Sequence, residues 1–269
     1  MRIIKLSLIA LLVLVTVLFA VEAVTSRING VDQGPELTCE AGELTVSVLD
    51  GEDALRAGVT AWDQQDGDLT DKIRIQGVSK LLTENTAKIS YIVFDSHGNF
   101  SMASRMIRYT DYSRPVFGVT QPLVYRESEQ IRLLDRLKAT DALDGDITQS
   151  IRVSALQATS DPDVWTVGIQ VTNSMGDTSR LELPIIIHTG LVVRPEVELT
   201  QQLIYLDRDS VFRAEDYLSG VETPIGPGEK SDVIITGDVD TGNAGTYYVY
   251  YRYPYSITMG LAVLTVVVR

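Results

Sequence analysis

The chain of 269 residues has little of what catalytic and metal sites are usually built from. It contains one cysteine, Cys39, and two histidines, His97 and His188. A single cysteine excludes an intramolecular disulfide, so stability must come from buried apolar surface or from bound ions. No cysteine and histidine cluster has zinc-site spacing, and no Gly-rich phosphate loop or nucleophile motif occurs. These absences argue against an enzyme.

Positive charge is also scarce. The sequence holds 23 Lys and Arg against 36 Asp and Glu, which gives a net charge of −13. Nucleic-acid binding depends on clustered Lys and Arg side chains that neutralise phosphates, and no basic stripe is present. We therefore expect no nucleic-acid partner. An acidic surface instead keeps an exposed protein soluble or attracts cations.

The one long apolar run lies at the N-terminus. Arg2 and Lys5 precede a strongly apolar segment over residues 6–24. A positive segment followed by an apolar one is typical of signal peptides and signal anchors, and it places the downstream chain outside the cytoplasm. We expect residues 1–29 to anchor the protein in the cell membrane. The alternative is secretion after cleavage near Ala23.

The rest of the chain repeats itself. "WDQQDGDLTDKI" begins at Trp62 and "TDALDGDITQSI" at Thr140, a spacing of 140 − 62 = 78 residues. The same spacing links "YIVFDSHGN", which begins at Tyr91, with "IQVTNSMGD", which begins at Ile169. Two matches at one offset predict tandem copies of one domain. A third, diverged copy carries "GTYYVYYRY" from Gly245, and a Pro/Gly loop stands where its acidic motif would be.

Each copy has the pattern of short β-strands. Trp165, Val167, Ile169 and Val171 alternate with polar or small residues, which indicates a strand with one buried face. Nothing downstream of the N-terminus shows a long 3.6-residue period. The sequence therefore predicts an all-β fold of three tandem immunoglobulin-like β-sandwiches after an N-terminal hydrophobic helix. The expected domains are residues 30–111, 112–190 and 191–269.

The motifs resemble the bacterial immunoglobulin-like repeats of surface proteins, a type that is also appended to pesticidal crystal toxins. Those repeats combine an Asp-x-x-Asp-Gly-Asp-[Leu/Ile]-Thr turn with a Gly-Thr-Tyr strand and an Asp-x-x-Gly-Asn end. The first copy matches the turn through Asp63, Asp66, Gly67, Asp68 and Thr70. The first copy departs from the family pattern at "NTAKISY", where the Gly-Thr-Tyr strand is expected. The second copy has Trp165 at the tyrosine position. The third copy keeps "GTYYVYY" but lacks the acidic turn. The resemblance implies a non-catalytic module of an exported protein.

The acidic turns are the main candidate site. In an immunoglobulin-like sandwich the acidic motif forms the B–C loop and "DSHGN" the F–G loop, and these loops share one end of the domain. The carboxylates there either cap turns, with glycine supplying the positive φ, or bind Ca²⁺ through several oxygen ligands. The candidate calcium ligands are Asp63, Asp66, Asp68 and Asp95 in the first copy, and Asp141, Asp144, Asp146 and Asp177 in the second.

Aromatic side chains supply the candidate contact surfaces. Trp62 stands beside the first acidic turn, where it anchors the linker or stacks on a sugar ring. Alternation along the third copy's strand predicts that Tyr248 and Tyr250 face outward, where they suit a binding face for a protein or a glycan. We expect a membrane-tethered stalk or adhesion module that presents its distal domain to an extracellular partner. The alternative is a carbohydrate-binding module for a cell-wall or host glycan.

Overall fold

The computed structural model describes residues 12–21, 34–83, 85–190 and 192–269. Residues 12–21 form a helix, α1, in which the Thr16 hydroxyl donates to the carbonyls of Leu12 and Val13. Within this described part of the chain, no helix combines the length and the apolar character needed to cross a membrane. Arg2, Lys5 and the expected cleavage site at Ala23 lie outside the described residues.

The chain divides into two compact units, Met1–Thr110 and Asp111–Arg269. The first unit contains one β-sandwich, which we call the first repeat, and a short helix α2 at Glu52–Arg56. Its strands are β1 Glu36–Cys39, β2 Leu44–Val46, β3 Val59–Asp63, β4 Gly67–Asp68, β5 Arg74–Val78, β6 Thr86–Phe94 and β7 Phe100–Tyr109.

The second unit contains two further sandwiches of seven strands each. The second repeat has β8 Val116–Val119, β9 Val124–Arg126, β10 Leu137–Asp141, β11 Gly145–Asp146, β12 Arg152–Ala158, β13 Val164–Thr172 and β14 Thr178–His188. The third repeat has β15 Glu196–Leu199, β16 Leu203–Leu206, β17 Leu218–Thr223, β18 Gly226–Pro227, β19 Ile234–Thr236, β20 Gly245–Tyr255 and β21 Thr258–Val268.

All three repeats have the same topology, as expected of copies of one domain. A three-stranded sheet has the order β1-β3-β4 in the first repeat, β8-β10-β11 in the second and β15-β17-β18 in the third. A four-stranded sheet has the orders β2-β7-β6-β5, β9-β14-β13-β12 and β16-β21-β20-β19. In each of these sheets the first strand of the order, β2, β9 or β16, pairs in parallel with the last strand of its repeat. The predicted class, all-β with sandwich repeats, is confirmed.

The cores follow the predicted alternation. Ile89, Tyr91 and Val93 of β6 are buried, and so are Val167, Ile169 and Val171 of β13. Burial of a tyrosine requires a partner for its hydroxyl. The Tyr91 hydroxyl donates to the carbonyl of Leu55 at 2.6 Å, and the Tyr251 hydroxyl in the third repeat donates to the carbonyl of Ala214 at 2.7 Å.

The third repeat keeps a hairpin where the acidic turn stands in the other two. Strands β17 and β18 pair there, with Thr223 opposite Gly226. The Thr223 hydroxyl accepts from the N–H of Ile225 at 3.3 Å and donates to the carbonyl of Gly226 at 2.6 Å. A threonine hydroxyl can cap a turn as an aspartate does. The third copy has therefore lost the acidic side chains but retains the turn.

Candidate functional site

The acidic turn of the first repeat is built on a buried aspartate. Asp63 ends β3 and is only 3% exposed. Its Oδ1 accepts from the backbone N–H groups of Gln65 at 2.8 Å and Asp66 at 2.9 Å. Gly67 follows with φ = 76°, a conformation that glycine adopts without strain. Asp68 then accepts from the N–H of Thr70 at 2.9 Å, at the start of a 3₁₀ turn over Thr70–Lys72.

The turn of the second repeat makes the same hydrogen bonds, through the equivalent atoms. Asp141 Oδ1 accepts from the N–H groups of Leu143 at 2.9 Å and Asp144 at 3.1 Å. Gly145 has φ = 69°, and Asp146 accepts from the N–H of Thr148 at 2.9 Å. Two copies with different intervening residues make the same bonds, so the motif itself dictates the turn.

A carboxylate joins the B–C and F–G loops in both repeats. We call each of these contacts an Asp–Ser latch. In the first repeat, Asp66 accepts from the Ser96 N–H at 2.6 Å and from its hydroxyl at 2.7 Å. In the second, Asp144 accepts from the Ser174 N–H and hydroxyl, both at 2.6 Å. The expectation that the two loops meet at one end of the sandwich is therefore confirmed.

The F–G loops are held by their own polar side chains. Asp95 Oδ1 accepts from the N–H groups of His97 at 2.9 Å and Asn99 at 2.8 Å, and its Oδ2 accepts from the Asn99 side-chain amide at 2.8 Å. In the second repeat Asn173 takes the place of Asp95, and its Oδ1 accepts from the Asp177 N–H at 2.9 Å. The side-chain amide of Asn173 also donates to Asp141 Oδ2 at 3.1 Å, which ties the two loops together a second time.

The segment that enters the second repeat binds to this acidic end. The Tyr112 hydroxyl donates to Asp177 Oδ2 at 3.0 Å and accepts from the Asn173 side-chain amide at 2.8 Å. Burial, reinforced by the Asp177 carboxylate, raises the pKa of Tyr112 well above its ordinary value. The Ser179 hydroxyl donates to the carbonyl of Pro115 at 2.6 Å. The acidic end of the second repeat thus fixes the direction in which its own chain enters.

The hydrogen bonds of the acidic turns explain how several charged carboxylates lie close together at the loop end of each repeat. Like charges at short range repel each other unless donors stabilise the ionised forms. Hydrogen bonds from Ser96 lower the pKa of Asp66, and hydrogen bonds from Thr70 and Thr148 lower the pKa values of Asp68 and Asp146. These aspartates therefore remain charged as acceptors of N–H and O–H groups. Turn capping is the role that their contacts define.

The structure places the eight candidate calcium ligands as follows. The carboxylates of Asp63, Asp66, Asp68 and Asp95 all accept N–H groups at the loop end of the first repeat, and those of Asp141, Asp144 and Asp146 do so in the second. Asp177 binds Tyr112. Among the residues described, no set of three or more His, Cys, Asp or Glu side chains is arranged to hold a metal ion. Calcium binding stays a prediction.

The tyrosine face of the third repeat is covered, which corrects the expectation that it is open. Tyr248 and Tyr250 are half-buried and pack on a cluster of Val164, Ile186, Leu261 and Val263. The Tyr248 hydroxyl donates to the carbonyl of Glu182 in the second repeat at 3.0 Å. The alternation correctly assigned these side chains to the outer face of the sheet. The second repeat then packs on that face, which a strand pattern cannot reveal.

Polar contacts surround this apolar junction between the second and third repeats. Arg252 and Asp161 form an ion pair at 3.0 Å, and Arg194 and Asp163 form one at 2.6 Å. The Tyr205 hydroxyl accepts from the Phe117 N–H at 2.9 Å. A buried apolar centre surrounded by hydrogen bonds and ion pairs is typical of a stable interface. The two repeats are therefore joined by packing as well as by the chain.

Many aromatic and apolar side chains of the described residues are exposed, and those next to the turns described above include Trp62, Ile225 and Ile257. Trp62, beside the first acidic turn, is 55% exposed, as a side chain that contacts a sugar or a linker would be. The third repeat exposes Ile225 at the tip of its B–C turn and Ile257 at the tip of its F–G turn, at 88% and 92%. The sequence reasoning missed these isoleucines. Apolar residues within turn segments were the signal that could have revealed them.

The topology and the capped turns define an all-β protein of tandem immunoglobulin-like sandwiches. No known family profile matches the chain. It is 28% identical over 204 residues to the pesticidal crystal protein Cry22Aa of Bacillus thuringiensis, a match that covers 71% of this chain. The chain spans only 27% of the length of that relative.

Comparison with solved structures gives distant similarities. A ZmpB structure from Clostridium perfringens, which comprises a carbohydrate-binding module in complex with GlcNAc and INT domains, is 16% identical over 51% of this chain and 29% of that one, with a TM-score of 0.23. The protocadherin gammaB7 EC3-6 structure is 13% identical over 74% of this chain and 66% of that one, with a TM-score of 0.20. At these scores, the assignment of the fold rests on the strand topology alone.

Proposed function

We propose that this protein is a non-catalytic, extracytoplasmic repeat protein that acts as a membrane-tethered stalk or adhesion module. Its repeats would hold a terminal sandwich away from the membrane, where it meets a protein or glycan partner. The observation that carries the proposal is the packed junction between the second and third repeats, centred on Val164, Ile186, Leu261 and Val263. A spacer must keep its end in a fixed orientation, and an apolar junction with an ion-paired rim restrains that motion.

The acidic loop ends support the same proposal. Catalytic carboxylates usually have perturbed environments that keep one acid protonated near neutral pH. Here hydrogen bonds stabilise the charged forms of Asp66, Asp68 and Asp146. Their positions and bonds recur in two copies of the domain, as expected of a structural element. The proposal therefore includes no reaction.

The partner surface is proposed on the third repeat, but away from Tyr248 and Tyr250. Those two side chains contact the second repeat, whereas Ile225 and Ile257 extend from the two loop tips. We propose that these two loop tips together offer an apolar contact surface to the partner, since contiguous exposed apolar patches mark interaction sites. Anchoring through residues 6–24 remains part of the proposal.

A cell-surface experiment tests the tether and the orientation together. An epitope tag follows Arg269 in a full-length chain, and a second version deletes residues 6–24. We expect the full-length protein to stay with the cells and to lose its tag when intact cells are treated with protease. The deletion version should remain inside the cell and resist protease until lysis. A full-length tag that is protected in intact cells would contradict the proposal, and full-length protein in the medium would favour secretion after cleavage near Ala23.

A further inference from the structure

The outer face of the four-stranded sheet in the first repeat carries apolar side chains at one end. Phe94 of β6 lies opposite Phe100 of β7, and Ile92 lies opposite Met102. The rings of Phe94 and Phe100 are in contact, with 5.8 Å between their centroids. Phe94, Phe100 and Met102 are 49%, 56% and 51% exposed. Side chains that are opposite or two residues apart on paired strands are neighbours on one face, so these four form one contiguous surface, which we call the apolar patch.

The sandwich itself does not require apolar side chains at these positions. At the spacing of 78 residues, the second repeat has Gln170, Thr172, Thr178 and Arg180 there. These polar side chains bond to each other across the same two strands. The hydroxyls of Thr172 and Thr178 are 2.8 Å apart, and Arg180 Nε donates to Gln170 at 3.0 Å. The apolar patch is therefore particular to the first repeat, and a contiguous exposed apolar surface marks contact with another molecule.

The chain enters the first repeat beside the apolar patch. Gly34 lies against the F–G loop, where a Cβ built on the glycine would be 3.1 Å from the Cβ of Asn99 and 3.6 Å from the carbonyl oxygen of Phe100. Only 33 − 24 = 9 residues separate the proposed membrane segment, residues 6–24, from Gly34. Fully extended, they bridge at most about 35 Å. A bilayer that holds residues 6–24 is therefore always close to the patch.

The charge of this sheet is opposite in sign to that of the chain. Its four strands, β2, β5, β6 and β7, are all described, and they contain no Asp or Glu, although the chain has a net charge of −13. Arg74, which lies opposite Ile92, and Lys88 are exposed on the same outer face. Anionic lipid headgroups attract such cations, and aromatic and aliphatic side chains enter the boundary between headgroups and acyl chains. The face thus combines both features that a lipid surface binds.

We propose that the apolar patch docks the first repeat on the surface of a phospholipid bilayer. The inference rests on the membrane tether proposed above, because the tether keeps the bilayer within reach. A single tether leaves the repeat free to turn about its attachment. The patch adds a second contact, which the short connection makes effectively intramolecular, so a weak affinity for lipid is sufficient. Docking would fix the base of the stalk against the membrane.

Quenching of a tryptophan by brominated lipids tests the docking. The full-length chain carries Trp62→Phe and Trp165→Tyr, which remove both native tryptophans, and Phe94→Trp, which places one probe in the apolar patch. The chain is reconstituted into vesicles of phosphatidylcholine and phosphatidylglycerol in equal amounts, with acyl chains that are either brominated or plain. We expect the brominated chains to lower the emission by about twofold or more, because a docked patch lies at the boundary of headgroups and acyl chains.

A probe at the equivalent position of the second repeat provides the matched control. Thr172→Trp in the same background should show no quenching, because its neighbours are polar. Phe100→Thr together with Met102→Thr should remove most of the quenching of Phe94→Trp. The melting temperature should stay the same, because both side chains are exposed. Arg74→Glu should also weaken the quenching, since it replaces an attraction to anionic headgroups by a repulsion.

Flotation of the vesicles separates a failure of the docking from a failure of the tether. A chain that floats with the vesicles but emits equally in brominated and plain lipid would overturn the docking and leave the tether standing. Equal quenching of Phe94→Trp and Thr172→Trp would overturn it too, because the contact would not be specific to the patch. A Phe94→Trp probe that is unquenched by bromine yet shielded from iodide in solution would show that a protein surface covers the patch instead of lipid. A chain that does not float would overturn the tether and the docking together.

Discussion

Val263→Asp is expected to separate the second and third repeats without unfolding either sandwich. Val263 is 8% exposed and packs on Val164 and Ile186 of the second repeat. A carboxylate in that cluster would be buried without a partner, which costs several kcal/mol, so the junction should open instead. The equivalent positions are Ser104 and Glu182 in the other repeats, so a polar side chain is compatible with the sandwich itself.

Urea unfolding with two probes measures this effect. Trp165 reports on the second repeat once Trp62 is replaced by Phe, and near-ultraviolet circular dichroism reports mainly on the third, which holds eight of the twelve tyrosines. Coincident transitions are the mark of one cooperative unit. We expect coincidence in the Trp62→Phe chain and two separate transitions when Val263→Asp is added. Ser104→Asp, which changes the equivalent position of the first repeat, should leave the two transitions coincident when it is added to the Trp62→Phe chain. Separate transitions before Val263 is changed would contradict the prediction.

Asp141→Ala is expected to lower the free energy of unfolding by about 3 kcal/mol. Asp141 is 7% exposed and accepts three hydrogen bonds, from the N–H groups of Leu143 and Asp144 and from the Asn173 side chain. Each donor left without an acceptor costs about 1 kcal/mol or more. Asp141→Asn keeps an oxygen for the two N–H groups and should cost less. Asp146→Ala removes a single exposed cap and should cost about 1 kcal/mol.

The same variants distinguish turn capping from calcium binding. If capping is the role, the loss caused by Asp141→Ala should be the same in a calcium buffer and in a chelator. Chelation should then leave the melting temperature of the unmodified chain unchanged. A melting temperature that falls on chelation, together with an Asp141→Ala penalty that vanishes in chelator, would establish the acidic turns as cation sites. A penalty below about 0.5 kcal/mol in both buffers would contradict capping as well.

Much of the fold is predictable because the signals are local. The spacing of 78 residues identifies the first two copies, and the Asp-Gly-Asp turn specifies its own geometry through capping and positive φ at Gly67 and Gly145. The meeting of the B–C and F–G loops follows from topology once the strands are assigned. The Asp66–Ser96 latch is a consequence of that meeting, although the serine itself was not singled out.

The remaining features depend on contacts that no local pattern encodes. Alternation assigns Tyr248 and Tyr250 to the outer face of their sheet, but it cannot show that the second repeat packs on that face. The third copy keeps its turn because the Thr223 hydroxyl caps it, although the aspartates of the motif are missing. Tyr125 looks like an ordinary strand residue until its hydroxyl is found buried without a partner.

Hydrogen exchange of the whole chain in increasing urea tests the coupling of the second and third repeats most directly. Peptides from β13 and β14 report on the second repeat, and peptides from β20 and β21 report on the third. If the junction makes them one cooperative unit, the most protected amides of both repeats should open with the same free energy and the same dependence on urea. Opening of β20 and β21 at lower urea, while β13 and β14 remain protected, would contradict the account.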